Sequence, residues 1–275
     1  MWTAEQWTRH KFLKPREQLG YPTDISDKKW KRLEPLLPGA ARTGRPRKTT
    51  LREVIDALRY LVRSGCEWRM LSNDFLPYQT VYYWFRRLMR RFLFRTIHDL
   101  ALMPDRMCEQ CELVPSAGIL DSQSVKAPGA PERGYDAHRK ISGRKRHITV
   151  DTDGRLLAVN LTPADIADST NAQLVLDALV KRWPWVKHLF SDAAYDQRTL
   201  LDKAAYPDLT VEVVRGLQGQ NGFHAQPRRW VVERPFAWLM RYRRLVCDYE
   251  QRFDVSQAMI YIALGSSLLH RMRSR

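Results

Sequence analysis

The chain has 275 residues, a mass of 32.3 kDa, a formal net charge of +16 and an isoelectric point near 10.0. No apolar run approaches the roughly 20 residues of a membrane-spanning helix, and Met1–Glu5 begins no apolar signal core. We therefore expect a cytoplasmic protein without a membrane partner. Only Cys108 and Cys111 among the four cysteines are closely spaced, so a four-ligand zinc site is not indicated and reduced thiols are expected.

Positive charge is concentrated in the first third of the chain. Up to Leu100 there are 21 lysines and arginines against 10 aspartates and glutamates, which gives +11 of the total +16. A basic block of this kind indicates a polyanionic partner, because each neutralised phosphate releases counterions. A merely solubilising surface is the alternative, and the nine tryptophans and eleven tyrosines of the chain favour nucleic acid over it.

The N-terminal third has the periodicity of helices. A first helix is predicted to end at Pro38, and a basic linker follows over residues 38–50. Arg45 and Arg47 in this linker are suited to lie as a flat strip in an A·T-rich minor groove. An ordinary solvated linker is the alternative.

Two more helices follow the linker. Thr50 is expected to cap the first, Gly65 to end it, and a long basic amphipathic helix is predicted from about Gln79 to His98. Helix, turn and basic helix is the pattern of a major-groove reader, with a plain helical bundle as the alternative. The side chains predicted to contact DNA here are Gln79, Tyr82, Arg86 and Arg87.

From Gly118 the periodicity changes to that of a mixed sheet flanked by helices. Strands are predicted over 119–125, 145–151, 155–161, 186–190 and 209–214, with a hairpin turn over 151–154. Helices are predicted to start at Asp168 and to cover 197–205, 227–244 and 255–272. The order βββαβαβαα argues for one hairpin meander followed by alternating units.

Three acidic residues stand out in this second part. Asp121 lies within the first strand, Asp192 ends a later strand, and Glu233 lies among arginines on a predicted helix. Hard carboxylate oxygens hold Mg²⁺, and two such ions activate a nucleophile and stabilise the leaving oxygen in phosphodiester chemistry. Glu212 and Glu250 are alternatives for the third acid, and Asp168 is expected to cap its helix.

Several segments together resemble the DDE transposases of bacterial insertion sequences, specifically family five. The C-terminal matches are Ile119–Lys126, Gly143–Ile148, Asp151–Gly154, Ser191–Tyr195 and Arg229–Arg234, and those in the N-terminal third are Leu33–Leu37, Gly44–Pro46, Arg63–Arg69 and Thr80–Tyr82. The resemblance covers nearly the whole chain from about Tyr21.

The resemblance implies a fold, an activity and a set of partners. The fold is an α/β ribonuclease-H-like core, a mixed five-stranded sheet flanked by helices over 113–275, preceded by an all-α helix-turn-helix DNA-binding domain over 1–112. The activity is cleavage and strand transfer of double-stranded DNA at terminal inverted repeats and target DNA. Asp121, Asp192 and Glu233 would bind two Mg²⁺ ions, for which Mn²⁺ would substitute, without a nucleotide cofactor. A homodimer on DNA, associated with the bacterial nucleoid, is expected.

The resemblance also implies DNA contacts near the glutamate. Arg229 matches an arginine one helical turn before Glu233, suited to clamp a phosphate. The related signature has a tyrosine where this chain has Gln226 and a lysine where it has Met240, so no DNA-hairpin intermediate is inferred. Arg241, Arg243 or Arg244 is the expected replacement for the lysine. Other expected backbone contacts are Lys126, Arg144, Lys145, Arg146 and Arg234, with solvated surface charge as the alternative.

Two rival functions fit parts of the sequence. A helix-turn-helix regulator would bind DNA without metal-dependent nicking. A nuclease of the same fold would cut DNA without joining ends. The basic, aromatic-rich N-terminal third favours an enzyme that recognises particular DNA ends, and thus the transposase.

Overall fold

The computed structural model describes residues 20–39, 47–195, 208–214 and 230–271. The helices in these ranges are α1 Asp27–Leu33, α2 Leu51–Ser64, α3 Tyr78–Met89, α4 Leu93–Cys108, α5 Asp168–Arg182, α6 Trp230–Met240 and α7 Phe253–Arg271. The strands are β1 Ala117–Lys126, β2 Gly134–Asp136, β3 Ile141–Asp151, β4 Leu156–Pro163, β5 His188–Ser191 and β6 Thr210–Val213. Short 3₁₀ turns cover Glu34–Leu36, Trp68–Met70, Ala193–Tyr195 and Arg243–Leu245. The predicted helix over 197–205 lies outside the described residues.

Helix α2 begins and ends as the sequence predicts. The Thr50 side chain accepts a hydrogen bond from the Glu53 backbone N–H, which satisfies one of the amides left unpaired at a helix start. Gly65 follows the last turn with a φ of 76°, a left-handed conformation that glycine adopts without a Cβ clash. Its position is also crowded, because an added Cβ would lie 2.7 Å from the Arg243 Cβ.

The single long helix predicted over 79–98 is wrong, because the structure divides it into α3 and α4. The break falls at Phe92, which adopts a left-handed φ of 53°. The apolar faces of α3 and α4 then both reach the core, with Phe85 and Phe94 buried and their ring centroids 5.7 Å apart. Burial of both faces therefore outweighs the helical continuity that local propensity favours.

The sheet is mixed, in the strand order β4-β3-β1-β5-β6, with β2 pairing the other end of β3. Strands β1, β3 and β4 form an antiparallel meander, and β5 and β6 run parallel to β1. This is the predicted ribonuclease-H-like arrangement. The described residues hold six strands rather than the predicted five, because the three-residue β2 extends the sheet beside β3.

The helices of the first third pack directly on the second part of the chain. Helix α4 lies along α7, and α2 contacts both α7 and the 3₁₀ turn at Arg243. Buried apolar side chains from α2, α3, α4, the sheet and α7 consequently form one continuous cluster. In the described part of the chain no helix combines the length and the apolar character that crossing a bilayer requires.

Candidate active site

Two of the predicted acids come from β1 and from the end of its parallel neighbour β5. Strand β1 pairs with β5 so that Gly118 faces Leu189 and Ile119 faces Phe190. Asp121 follows Ile119 by two residues on β1, and Asp192 follows Phe190 by two residues, just past the end of β5. Both aspartates line one small pocket. The two strands are neighbours, as expected, and both aspartates lie at the pocket beside them.

Each aspartate is oriented by a backbone amide close to it in the chain. The Ser122 N–H donates to Asp121 Oδ1 over 2.7 Å, and the Ala194 N–H donates to Asp192 Oδ1 over 3.0 Å. The second bond is formed by the 3₁₀ turn that directly follows β5. Local backbone geometry thus restricts the rotamers of both carboxylates before any ligand is bound.

The third predicted acid lies on the helix next to this pair. Helix α6 packs against β1, and Val232 lines the same pocket as Asp121 and Asp192. The adjoining Glu233 is exposed. Among the described residues, no three histidine, cysteine, aspartate or glutamate side chains are arranged to hold one ion. The structure therefore brings Asp121 and Asp192 to one pocket, to which α6 contributes Val232 rather than Glu233.

A glycine in the β3–β4 hairpin sets the start of α6. Gly154 has a φ of 84°, and the Asp151 N–H donates a 2.8 Å hydrogen bond to the Arg155 carbonyl across the turn. A Cβ at Gly154 would lie 3.0 Å from the Val231 carbonyl oxygen and 3.4 Å from the Pro235 ring. The predicted hairpin turn is confirmed, and its close contact with α6 fixes the helix that carries Glu233.

A buried tyrosine reflects the negative charge of this region. Tyr195 is 1% exposed, and burial together with the carboxylates of Asp168, Asp121 and Asp192 holds its pKa well above its usual value. The phenol is therefore neutral, while three carboxylates act on it from the surrounding chain. In a protein of net charge +16, such a concentration of negative charge suits a bound cation.

The prediction that Asp168 caps its helix is wrong. Ala167 occupies the N-cap position, and its side chain forms no capping hydrogen bond. Asp168 Oδ1 instead accepts a 2.9 Å hydrogen bond from the Ser122 hydroxyl and forms a 3.0 Å ion pair with Lys145 Nζ. Asp168 thereby links α5 to β1 next to Asp121. The sequence does not reveal this position beside the site, because cap residues and site residues share the same side-chain chemistry.

Neither alternative third acid lies in the pocket of the aspartates. Glu250 is buried and forms a 2.7 Å ion pair with Arg244 Nε. Glu212 lies on β6 and pairs with His188 Nε2 at 2.8 Å. Glu233 does not line this pocket either, so its lining does not choose among the three acids.

Comparison with known proteins decides the family. The model described as "Transposase DDE domain" matches residues 112–268, and the model described as "Putative transposase of IS4/5 family" matches residues 25–98. The chain belongs to the DDE transposase family. A curated relative from Burkholderia cepacia, described as "Putative transposase for insertion sequence element IS402", is 31% identical over 163 residues, which cover 55% of this chain and 72% of that protein.

Solved structures similar to this transposase include complexes of the Mos1 transposase. The Mos1 mariner paired-end complex with Mn has a TM-score of 0.30 at 12% identity, over 98% of this chain and 91% of that one. The Mos1 paired-end complex with the left transposon end has a TM-score of 0.26 at 13% identity, over 75% of this chain and 72% of that one. Membership of this family means that the transposase acts on DNA and uses divalent metal ions.

Several residues predicted to contact DNA in this transposase share one exposed surface. The α3 surface is defined by a shallow groove lined by Tyr78, Gln79, Tyr82, Tyr83, Arg86, Arg87, Arg90 and Arg91. The Arg86 and Arg87 guanidinium groups each donate to the tyrosine hydroxyl four residues earlier, over 3.1 Å. Arg47 reaches this region from the linker, since its guanidinium lies 5.6 Å from the Trp84 ring. The sequence pattern thus produces an exposed basic and aromatic surface.

The remaining predicted DNA contacts differ in exposure. Lys126, Arg234 and Arg241 are exposed, whereas Arg45 and Arg229 lie outside the described residues. Lys145 is 8% exposed and pairs with Asp168, and Arg244 is 7% exposed and pairs with Glu250. Arg144 and Arg146 are fully buried as well. A phosphate contact is disfavoured for these four because each is buried and already bonded to protein groups, Arg144 to Asp248 and Arg146 to the Leu245 carbonyl.

Proposed function

We propose that this transposase cleaves and joins DNA at the terminal inverted repeats of an insertion sequence through Asp121, Asp192 and Glu233. The observation that carries the proposal is that Asp121 and Asp192 line one pocket, which Val232 of α6 also lines. Glu233, exposed on α6 next to Val232, is proposed to complete the set.

Asp121, Asp192 and Glu233 are proposed to hold a pair of Mg²⁺ ions, for which Mn²⁺ would substitute. Asp121, Asp192 and Glu233 offer carboxylate oxygens, the ligands that hard divalent cations prefer. Lys145, a nearby cation, is already paired with Asp168. When bound, the ions would activate the attacking oxygen and stabilise the leaving oxygen of an in-line displacement. The protein contributes the spacing and orientation of the carboxylates.

The α3 surface is proposed to recognise the terminal repeats. Its exposed arginines suit phosphate contacts, and Gln79 and the tyrosines near the helix start are proposed to contact base edges. Arg45, Arg47 and Arg229 are proposed to add contacts from the linker and from the turn before Glu233. In this proposal residues 1–112 bind DNA ends and residues 113–275 carry out the chemistry.

A homodimer on DNA is part of the same proposal. An element has two ends, and joining them to one target requires two active sites to act together. No nucleotide cofactor is needed, because the 3′-hydroxyl freed by cleavage is itself the nucleophile of strand transfer.

The test separates cleavage from binding. Purified protein is incubated with labelled element ends and Mg²⁺, and nicks, double-strand breaks and strand-transfer products are resolved on gels. Asp121→Asn and Asp192→Asn are each expected to reduce cleavage by at least about 10³-fold, because several kcal/mol of transition-state stabilisation depend on the bound ions. End binding, measured by anisotropy in Ca²⁺, is expected to stay within about threefold of the wild type. Asp177→Asn on the exposed side of α5 is the matched control.

Three outcomes would contradict the proposal. Loss of end binding together with cleavage would make Asp121 a structural residue. Cleavage without strand-transfer products would indicate the nuclease, and binding without metal-dependent nicking would indicate the regulator. Electron paramagnetic resonance measures directly how many Mn²⁺ ions each chain binds. Two ions per chain are expected in the wild type and fewer in Asp121→Asn.

A further inference from the structure

A cavity of about 630 Å³ lies between α2, the C-terminal end of α6 and α7, away from the paired aspartates. Its wall carries four arginines, Arg59, Arg63, Arg241 and Arg271, together with His270. No aspartate or glutamate lines it among the residues that the structure describes. Arg271 also forms a 3.4 Å ion pair with Asp105 outside the lining, and the positive charge of the wall suits an anion.

The most buried of these arginines lacks hydrogen-bond partners on two of its nitrogens. Arg59 is 8% exposed, and neither its Nε nor its Nη1 has a partner within the described ranges. Asp56 attracts it electrostatically, but Asp56 Oδ1 accepts the Ile25 backbone N–H at 2.7 Å. The Thr23 hydroxyl, which lines the same cavity, is also buried and finds no partner in the described part of the chain. Unsatisfied buried donors are costly, so their presence in one cavity wall indicates a ligand that accepts hydrogen bonds.

Aromatic rings form the other part of the wall. Tyr21, Tyr60, Trp238 and Tyr242 line the cavity. Two of these rings are already stacked by arginines, since Arg271 lies 4.2 Å from the Trp238 ring and Arg63 lies 5.3 Å from the Tyr242 ring. Arginines interleaved with aromatic rings are the usual surroundings of an unpaired nucleotide, because the rings stack on the base and the guanidinium groups bind the phosphate.

We propose that this cavity binds a nucleotide, with its phosphate on Arg59 and its base against the aromatic wall. The volume lies within the range of about 300–1,000 Å³ that small-ligand sites occupy. Two sources share this chemistry, a free nucleotide and an unpaired nucleotide of a DNA strand. Trp238 follows Glu233 by five residues, about 7.5 Å along α6, so a DNA strand at the active site has a short path to the cavity.

The site is independent of the metal-dependent chemistry, and its test needs no cleavage. Full-length protein in EDTA is titrated calorimetrically with inorganic phosphate, thymidine, thymidine 5′-monophosphate and a 5′-phosphorylated tetrathymidylate. Thymidine monophosphate is expected to bind at least about tenfold more tightly than phosphate or thymidine, because both parts of the ligand contribute. Binding of the tetranucleotide alone would identify the DNA strand as the source. Failure of all four probes to bind would overturn the proposal and leave the cleavage proposal untouched.

Arg59→Met distinguishes a ligand contact from a structural one. Nucleotide affinity is expected to fall about ten- to hundredfold, as when a hydrogen bond to a charged group is removed. The melting temperature without ligand is expected to rise by about 2–4 °C, because an unpaired buried guanidinium is replaced by an apolar side chain. A merely structural arginine would give the opposite shift in melting temperature. Arg32→Met, on the exposed side of α1, removes the same charge outside the cavity and is expected to change neither quantity.

A second variant keeps the test decisive if Arg59→Met does not fold. Ser64 lines the cavity from α2, and Ser64→Phe fills it while every arginine is retained. This variant is expected to weaken nucleotide binding at least about tenfold without a change in charge. Unchanged binding in Ser64→Phe would place the nucleotide elsewhere and overturn the assignment.

Discussion

The arginines of strand β3 and its hairpin and those of the α3 surface carry the same charge in opposite surroundings. Arg144 and Arg146 are fully buried, and Arg155 is 2% exposed. Arg144 donates to the Glu250 and Gln251 carbonyls, and burial lowers the pKa of Arg146 to about 10. The α3 arginines instead line an open groove beside exposed tyrosines.

This difference shows that a net charge of +16 is not a direct measure of DNA contact. The buried arginines bind backbone carbonyls and carboxylates of distant elements, so their charge is used to hold the fold together. Only the exposed ones present charge to a polyanion. Substitutions in the two groups should therefore give different readouts, stability for the first and salt-dependent affinity for the second.

The largest effect is expected at Arg155. Its Nε donates to Asp105 at 2.7 Å and its Nη1 to Asp153 at 2.6 Å, which joins α4 to the β3–β4 hairpin. Arg155→Leu leaves buried carboxylates without this partner, and a loss of about 3–5 kcal/mol in unfolding free energy is expected. Urea denaturation measures it. Arg133→Leu, at an exposed position, should change the unfolding free energy by less than about 0.5 kcal/mol. A loss as large as that of Arg155→Leu would contradict the difference between buried and exposed arginines.

The free energy of unfolding is expected to depend on pH because of a buried histidine on strand β3. Burial lowers the pKa of His147 to about 4, while its Nε2 lies 3.0 Å from the Thr162 hydroxyl. Because the folded pKa lies below the unfolded value of about 6.5, the unfolded chain binds more protons between these values. The stabilising contribution is full above a pH of about 6.5 and is lost as the pH falls toward about 4. Denaturation at several pH values tests this.

His147→Asn should reduce the pH slope, whereas His138→Asn at an exposed position should leave it unchanged. A slope that both variants retain would contradict the role of His147. His98, which is also fully buried with a lowered pKa, would then be the remaining source among the described histidines.

The smallest effect is expected for the exposed arginines of the α3 surface. Arg87→Gln combined with Arg90→Gln on the α3 surface is expected to weaken DNA binding about tenfold and to leave the melting temperature unchanged. The slope of log affinity against log salt should fall by about 0.9 for each phosphate that the protein no longer neutralises. Lys28→Gln with Arg32→Gln on α1 removes equal charge. A similar decrease in affinity in this control would show that only total charge matters.

Much of the fold follows from local patterns in the sequence. Thr50 and Gly65 mark the ends of α2, and alternation along β3 and β4 with Gly154 between them gives the hairpin. The break between α3 and α4 cannot be predicted in this way, since it depends on tertiary burial of both apolar faces around Phe92.

The candidate site can be predicted to the level of its elements but not of all its contacts. Asp121 and Asp192 follow from strand patterns, because parallel neighbours place residues at matching positions. The ion pair of Lys145 with Asp168 joins residues far apart in the chain, and that of Arg244 with Glu250 encloses both charges in the protein interior. Nothing in the residues adjoining each arginine or lysine distinguishes such a buried pair from a phosphate contact.

The spacing of the two paired aspartates depends on apolar residues that take no part in the chemistry. Leu189 is fully buried and Phe190 is 5% exposed, and these two residues set how β5 aligns with β1. A slip of one position would exchange Asp192 for Ser191 or Ala193, and would move Leu189 and Phe190, which are buried on opposite faces of the sheet, each to the face packed around the other. Burial of Leu189 and Phe190 therefore fixes the position of Asp192 relative to Asp121. Mutations that weaken the packing of β5 should reduce catalysis before they unfold the protein.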